Sequence, residues 1–451
     1  MRKILKGQIQ LKMGTAKILI TFVLAGGVTI FPALGFGQQS TISDTLHLGD
    51  VIREVLAHND QISAARFMEK SAKAKIGQSG AWDDPMLMVG VINLPTTFNF
   101  KEDAMTMEMV GISQNIPYAG YKGLLNKAAR SEAEVAAEDT KATIVDLASA
   151  AGYAYINLYY RNLNLESMKT QRALMQDIVS AATARLRTDR GSQADVVLAQ
   201  ADLWRLESEI LSSEKEAEAA QNNLLSLMGR ESGTSLPSLS EPNLAFNSPS
   251  ADDWISKAKQ TYPPLQKMRR QAEGYNFNAS AAQRMRWPMM GLSASYGIRQ
   301  DAPASGDPMS PGITKRDNMF SFQLNLSLPI FSGRAQGKMA RSMDYMKQGT
   351  ILEASQMERE ISAKLRTLYR QSQRLTQSLT LYRDRIIPAD RDAYQSAYAG
   401  YISSRMPFTN LLNYAVNIYR DQITANNVAY QLAQTYIDVE KYIKIPSNDN
   451  K

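Results

Sequence analysis

The sequence predicts a mainly α-helical fold with a small β part, in which long coiled-coil helices and a pair of strands occur twice along the chain. Residues 319–330 alternate six apolar side chains with polar ones, which is the pattern of a strand with two unlike faces. Residues 120–187 contain no Pro and are rich in Ala, Glu, Leu and Lys, which predicts one helix of about 100 Å. Landmarks of one half return in the other at a nearly constant separation, which indicates a tandem duplication.

Composition excludes several classes of protein. The 451 residues carry a formal net charge of +7, and the first 37 residues hold five basic side chains and no acidic one. The remainder is close to neutral, so the charge gives no indication of nucleic-acid binding. The chain has no Cys and two His. It therefore lacks disulfides and thiolate metal sites, and it has too few imidazoles for a metal centre built from His.

Residues 1–37 predict a secretory signal peptide, with cleavage near Gly37. A basic start precedes a short apolar run from Ile18 to Ala25, and small residues follow. The alternative is a membrane anchor helix. It is disfavoured because Gly and Pro interrupt the segment and no apolar run reaches about 18 residues.

Residues 38–230 form the predicted first repeat. It comprises two short helices, a strand pair at about 86–116, a long helix at 120–187, a tip at 188–191 and a helix at 192–229. Residues 231–250, rich in Pro, Ser and Glu, form a predicted linker.

Residues 251–444 repeat this plan. Short helices lead to a strand pair at about 289–330, a long helix at 333–403, a tip at 403–407 and a helix at 407–443, followed by a tail at 445–451. Pro388 predicts a kink in the long helix. The last helix keeps an apolar heptad seam from Phe408 to Ile443, with Gln422 as the exception, and this pattern predicts coiled-coil packing.

The two repeats supply four predicted strands in all. In a membrane every backbone polar group needs a partner, so a spanning sheet must close, and outer-membrane barrels have at least about eight strands. If these strands span a membrane, several copies of the chain must contribute. The alternative is a sheet in water with one buried face.

The duplicated plan resembles the TolC-like outer-membrane efflux protein family across essentially the whole mature chain. The resemblance rests on the strand-to-helix junctions at residues 115–120 (NIPYAG) and 328–333 (LPIFSG), and on the tip segments at 191–200 (GSQADVVLAQ) and 408–413 (FTNLLN). It implies a homotrimer in outer-membrane lipid, with a twelve-stranded β-barrel above a long periplasmic α-barrel. It also implies a periplasmic adaptor protein and an inner-membrane pump as partners, and no cofactor.

Three segments resemble most closely the heavy-metal efflux branch of that family. They are residues 83–86 (DDPM), 105–109 (MTMEM) and 113–117 (SQNIP). That branch often carries a lipidated Cys, which this chain lacks. A copper site is one interpretation of the nearby methionines, because thioethers suit Cu(I). We expect them instead to pack or to face lipid, and we assign no metal site. These methionines are Met86, Met88, Met105, Met107, Met109, Met289 and Met290.

The resemblance also implies a pore constriction near the helix tips. The matching positions are Asn410 and Asn413, together with Asp195 in the first tip, so we expect a constriction less negative than is usual in the family. The alternative is that both asparagines cap the helix or face solvent.

The tips are also the predicted contacts with an adaptor. Asp189 and Ser404 stand where the family has Gly, and ordinary turn chemistry is the alternative role for these segments. The candidate contact residues are Asp189, Arg190, Gly191, Ser404, Arg405 and Met406.

These features predict a passive exit duct of a tripartite efflux pump. One alternative is the outer-membrane duct of a type I protein secretion system. Another is a periplasmic coiled-coil adaptor that does not span the membrane, although such adaptors usually have a single hairpin. The sequence shows no Ser/His/Asp set, phosphate-binding Gly loop or metal-ligand spacing, so we expect no enzyme activity.

Overall fold

The structure is a computed structural model that describes residues 45–244, 250–303 and 312–446. The predicted signal peptide and most of the tail lie outside these residues. The predicted mainly α-helical fold with a small β part is confirmed. The helices are α1 (Leu48–His58), α2 (Asp60–Gly80), α3 (Tyr121–Arg187), α4 (Gln193–Leu227), α5 (Ala251–Thr261), α6 (Pro263–Arg284), α7 (Gln336–Leu381), α8 (Ile387–Ile402) and α9 (Phe408–Ile443).

The strands form one antiparallel sheet and two short ladders. The strands are β1 (Thr45–Leu46), β2 (Met86–Ile92), β3 (Met107–Ile116), β4 (Ser238–Leu239), β5 (Met290–Ile298), β6 (Ala302–Pro303), β7 (Ile313–Thr314) and β8 (Met319–Leu326). The sheet has the order β2-β3-β5-β8, so the two repeats meet where β3 pairs with β5. β1 pairs in parallel with β4, and β6 pairs with β7 in the connection between β5 and β8.

The register gives the four-stranded sheet two unlike faces. Residues directly opposite each other point to the same side, so the rows Leu87–Ile112–Ala294–Phe322 and Val89–Val110–Tyr296–Phe320 lie on one face. We call this the apolar face. The other, the small-residue face, carries mainly Gly, Ser, Met and amide side chains. Phe320 and Phe322 on the apolar face are 73% and 82% exposed.

The helices near the sheet follow the same order as the strands. α2 packs on α3, α3 on α6 and α6 on α7, as each leads into or out of the corresponding strand. Farther from the sheet, α4 packs on α3, α3 on α9 and α9 on α8. α3 thus belongs to both groups, and its buried side chains run from Ala128 to Ala182.

The N-terminal strand and the predicted linker are held by α3. The hydroxyl of Tyr155, a fully buried side chain, lies 2.8 Å from the carbonyl oxygen of Leu46 and 2.7 Å from that of Ser240. These contacts fix the β1–β4 ladder against the middle of the long helix. The segment at 231–250 therefore contains ordered structure in its described part, where Pro, Ser and Glu composition predicted a linker only.

The polar position in the heptad seam of α9 has a physical explanation. The side chain of Gln422 donates to Asn426, and Asn426 donates in turn to Asn164 at 2.9 Å and to Ser167 at 3.3 Å on α3. Asn426 is 4% exposed. A buried polar layer of this kind tolerates only one alignment of two helices, because a shifted alignment would leave amides unpaired.

Two boundaries in the second repeat differ from the predicted ones. The strand pair predicted at about 289–330 ends at Leu326, because residues 328–335 form turns, with Ile330 N–H donating to the Leu328 carbonyl. The long helix predicted at 333–403 begins at Gln336 for the same reason.

The same helix is also interrupted just before Pro388, the residue at which the sequence predicted a kink. Residues Tyr382–Ile386 form a π-helical turn, and Ile387 N–H donates to the carbonyl of Tyr382, five residues back. Pro388 follows directly. A proline ring collides with the carbonyl four residues earlier in an α-helix, and the wider π turn relieves that crowding. Across the described chain, no helix is both long and apolar enough for a membrane span.

Candidate functional site at the paired helix tips

The two helix tips have the same backbone conformation. Asp189 and Ser404 occupy equivalent positions, with φ of 53° and 61°. In each turn the next residue donates five positions back, from Arg190 to the Arg185 carbonyl and from Arg405 to the Gly400 carbonyl. This is the capping pattern that usually places Gly in the left-handed position. Asp189 and Ser404 therefore adopt the left-handed conformation that this turn requires, at the cost of unfavourable φ values for side chains with a Cβ.

Arg185 joins the two tips. One Nη atom donates to the Tyr401 carbonyl at 2.6 Å, and the other donates to the Arg190 carbonyl at 2.7 Å and to the Ser404 hydroxyl at 3.1 Å. Its guanidinium also lies 4.2 Å from the ring centroid of Tyr401. The planar fork of Arg can bind several acceptors in fixed directions, which Lys cannot do.

Sequence reasoning missed Arg185, although the chain contains a signal for it. In the aligned repeats Arg185 stands opposite Gly400, so only the first tip supplies a cation at this position. A Cβ added at Gly400 would lie 3.2 Å from the Cβ of Met406. The second tip is thus closely packed between Gly400 and Met406, whereas the first tip extends Arg185 to the second.

The predicted adaptor-contact residues fall into two groups. Asp189, Arg190 and Arg405 are exposed, as is Ser404, whose hydroxyl accepts from Arg185. Gly191 and Met406 are half-buried. They also shape the turns, since a Cβ at Gly191 would lie 3.0 Å from the Leu186 nitrogen, and Met406 packs on the apolar cluster around Tyr401.

The predicted constriction residues lie on two different helices. Asn410 and Asn413 are both exposed in the first turns of α9, three positions apart and therefore on one side of the helix. Asp195 is half-buried in the first turn of α4. In the described chain no hydrogen bond links Asp195 to either asparagine. Burial raises the pKa of the Tyr401 hydroxyl; nearby Arg185 opposes this effect and Asp195 adds to it.

Two carboxyl groups face each other farther up the second hairpin. Asp390, two residues after Pro388 on α8, meets Asp421 on α9. The Oδ2 atom of Asp390 is buried, and no N–H or hydroxyl of the described residues donates to it. Burial, and then the hydrogen bond and charge of Asp421, raise the pKa of Asp390 to about 6. When one of the two carboxyl groups is protonated, it can donate a hydrogen bond to the other, whereas two ionised carboxylates at this distance would repel each other.

Comparison with known proteins agrees with this architecture. A sequence model of the outer membrane efflux protein family matches residues 254–443. No curated protein matches the sequence. Among solved structures the fold is similar to CusC, with TM-score 0.72 and 16% identity over 88% of this chain and 92% of that one. It is also similar to VceC of Vibrio cholerae, with TM-score 0.70 and 16% identity over 88% of this chain and 95% of that one. The open MtrE channel of Neisseria gonorrhoeae is similar too, with TM-score 0.68 and 14% identity over 88% of each chain.

Residues 254–443 match the sequence model of the outer membrane efflux protein family, and the described chain has the fold of the solved efflux channels. The predicted resemblance is therefore confirmed, as are the location in the outer membrane with a long periplasmic helical part and the assignment to passive channels rather than enzymes. The described residues contain no group of three or more His, Asp or Glu arranged to hold a metal ion.

Replacing Arg185 with Lys should loosen the connection between the tips. Lys cannot reproduce the forked contacts, so the variant should lose about 2 kcal/mol of local stability, the usual value for a hydrogen bond to a charged group. Hydrogen exchange of the amides at 401–406 measures this change as faster exchange. Arg187→Lys is the matched control, since Arg187 is an exposed side chain of the same helical turn. Equal exchange in the two variants would contradict the bridging role.

The facing carboxyl groups should make the stability of the protein depend on pH. Because the pKa of Asp390 is raised on folding, its protonated form contributes to the free energy of unfolding. This contribution is full below about pH 4 and is lost as the pH rises through about 6. Asp390→Asn should therefore melt at a higher temperature than the wild type at pH 7, and the two should converge near pH 4. Thermal melts followed by circular dichroism measure the difference. Asp392→Asn, at an exposed position of the same helix, should show no such divergence.

Proposed function

We propose that this chain is the exit duct of a tripartite efflux pump. Three copies would form the channel, and substrates would pass through it from a periplasmic adaptor and an inner-membrane pump to the exterior. The observation that carries the proposal is the four-stranded sheet. It has an exposed apolar face and two edge strands, β2 and β8, each paired on one side only within the described chain.

In a membrane, the edge strands β2 and β8 would need further strands as hydrogen-bonding partners. Unpaired N–H and C=O groups in lipid cost several kcal/mol each, so a spanning sheet has to close on itself. Pairing β8 of one copy with β2 of the next would satisfy both edges. Three copies would then supply twelve strands, which lies within the range of outer-membrane barrels. The apolar face would meet lipid and the small-residue face would line the lumen.

The helices at the same two edges support this assembly. Phe67 and Met68 on α2 are 67% and 71% exposed, and Tyr345 and Leu352 on α7 are 70% and 69% exposed. α2 and α7 are the outer members of the helix order, directly beyond β2 and β8. Joining α7 of one copy to α2 of the next would bury these side chains at the same seam that pairs the strands. An adaptor that does not span the membrane would have no use for either surface.

Heavy-metal cations are the proposed substrate class, on the strength of the three segments that resemble the heavy-metal efflux branch. The type I secretion alternative shares the architecture, and no feature of the described chain favours it.

A proline in β8 tests the assembly. The Ser327 N–H donates to Met289 on the β5 side, so by strand alternation the N–H groups of Phe322 and Leu324 point away from β5. Leu324→Pro should therefore preserve the β5–β8 ladder and block pairing with a second copy. We expect the wild type to run as a heat-resistant trimer from the outer-membrane fraction, and the variant to run as a monomer.

Leu324→Ala is the matched control for that experiment. It shortens the same exposed side chain and keeps the N–H group, so it should remain trimeric. A trimer of Leu324→Pro as stable as the wild type, or a wild-type protein found as a periplasmic monomer, would contradict the proposed duct.

The constriction assignment is tested by adding charge. Asn410→Asp would place three carboxylates around the pore of a trimer, and close like charges attract and retain cations. In planar bilayers the variant should become more cation-selective and should be blocked by trivalent cations from the periplasmic side. Thr409→Asp adds the same charge at a neighbouring exposed position of the helix. Unchanged selectivity and block in Asn410→Asp would rule out Asn410 as part of the constriction.

A further inference from the structure

Most methionines of the four-stranded sheet lie on one face, whereas Met290 lies on the apolar face beside Leu326. In the strand register, Met86, Met88, Met107 and Met109 alternate with the residues of the apolar face and so belong to the small-residue face. Met319 on β8 shares that face. These side chains therefore neither face lipid in the proposed barrel nor fill an apolar core. Their neighbours are Gly and Ser residues.

Three of these methionines surround one glycine. The register places Gly90, Met109, Gly297 and Met319 in a single row across the four strands, so Gly297 has a methionine on either side. Met107 lies two residues before Met109 on the same face. A Cβ built at Gly297 would overlap the Sδ atom of Met107 and would lie 3.2 Å from its Cγ. The thioether of Met107 thus lies directly over Gly297.

The surroundings of this group are suited to a ligand. Met107 and Met109 are half-buried and Met319 is 39% exposed, so the sulfur atoms are neither sealed in a core nor fully surrounded by water. Gly90 leaves open space on the sheet surface beside these long, flexible thioether side chains, which adapt readily to what they bind. Met109 and Met319 lie on the two strands that flank Gly297, so their backbones are about 10 Å apart, twice the spacing of paired strands. Two long methionine side chains that lean inward from either side can both reach an ion held over Gly297.

We propose that Met107, Met109 and Met319, gathered over Gly297, form a thioether site for a soft monovalent cation, Cu(I) or Ag(I). Thioether sulfur is a soft and uncharged ligand that selects Cu(I) over hard cations such as Mg²⁺ or Ca²⁺. All three sulfur ligands come from one chain, so binding itself does not require the trimer. The inference that this site binds transported ions on the wall of the lumen rests on the proposed duct.

Gly297→Ala is the sharpest test, because it disturbs the site without removing any methionine. The added methyl group would occupy the space over Gly297 and displace the Met107 sulfur, a flexible side chain whose movement leaves the strand intact. Gly90→Ala is the matched control. It adds the same methyl group to the same row and face, but its Cβ would meet nothing within 4 Å. The probe is silver nitrate, titrated in chloride-free buffer into the purified full chain in detergent.

We expect the wild type and Gly90→Ala to retain one Ag(I) per chain that Gly297→Ala loses, counted by elemental mass spectrometry after removal of free metal. X-ray absorption at the silver edge should show sulfur neighbours. A triple variant, Met107→Leu with Met109→Leu and Met319→Leu, should also lose the ion. Equal silver binding in Gly297→Ala and Gly90→Ala, or a silver ion with only oxygen and nitrogen neighbours, would overturn the proposal.

The oligomeric state of the same samples separates this site from the proposed function. A monomeric protein that binds silver through sulfur would contradict the trimeric duct and leave the site standing. A trimer that binds no silver would contradict the site alone.

Discussion

The burial of α3 along its length is the interaction on which the rest of the chain depends. Near the sheet, α3 packs between α2 and α6, and farther away it packs between α4 and α9. Side chains as far apart as Ala128 and Ala182 are buried on it. A helix of this length gains little from intrinsic propensity alone, since most helical stability in proteins comes from packing of apolar faces. Both repeats therefore hold their position relative to each other chiefly through one helix of the first repeat.

The packing around α3 also accounts for its mixed sequence. A surface helix keeps one apolar stripe, whereas a helix that changes partners along its axis needs apolar residues on several sides. The segment around Tyr155 contacts the N-terminal ladder, α1 and α9, while Met175 and Ile178 contact the cluster at the tips. Polar contacts fix the alignment at two further points, through Gln171 to the Ala415 carbonyl and through Asn164 to Asn426.

Local patterns in the sequence were sufficient for most of the fold and for some of the site. Period-2 and period-3.6 alternation, together with Pro and Gly at junctions, predicted the helices and strands, because these signals arise from neighbours along the chain. The π turn was not predictable in this way: Pro388 indicates a disturbed helix, but a proline can kink, end or widen a helix, and the sequence does not distinguish these outcomes. The pairing of Asp390 with Asp421 is also invisible to local reasoning, since the two residues belong to different helices. The methionines needed the strand register, which decides the face on which each side chain lies.

Arg185 differs from these cases because a comparison within the sequence could have found it. Aligning the repeats sets it against Gly400, and an unmatched charge among otherwise similar turns indicates a contact outside its own turn.

The difference between Arg185 and Gly400 has a consequence for the symmetry of the proposed trimer. In the proposed trimer, six helix hairpins would surround the axis, and identical repeats would relate them by a sixfold rotation. In the described part of the chain, Arg185 belongs to one hairpin and the π turn to the other. The ring of the proposed trimer would therefore have threefold symmetry, with two alternating kinds of groove between hairpins. A partner that packs six identical copies against this end would meet each kind of groove three times, so its copies could not all be bound equally.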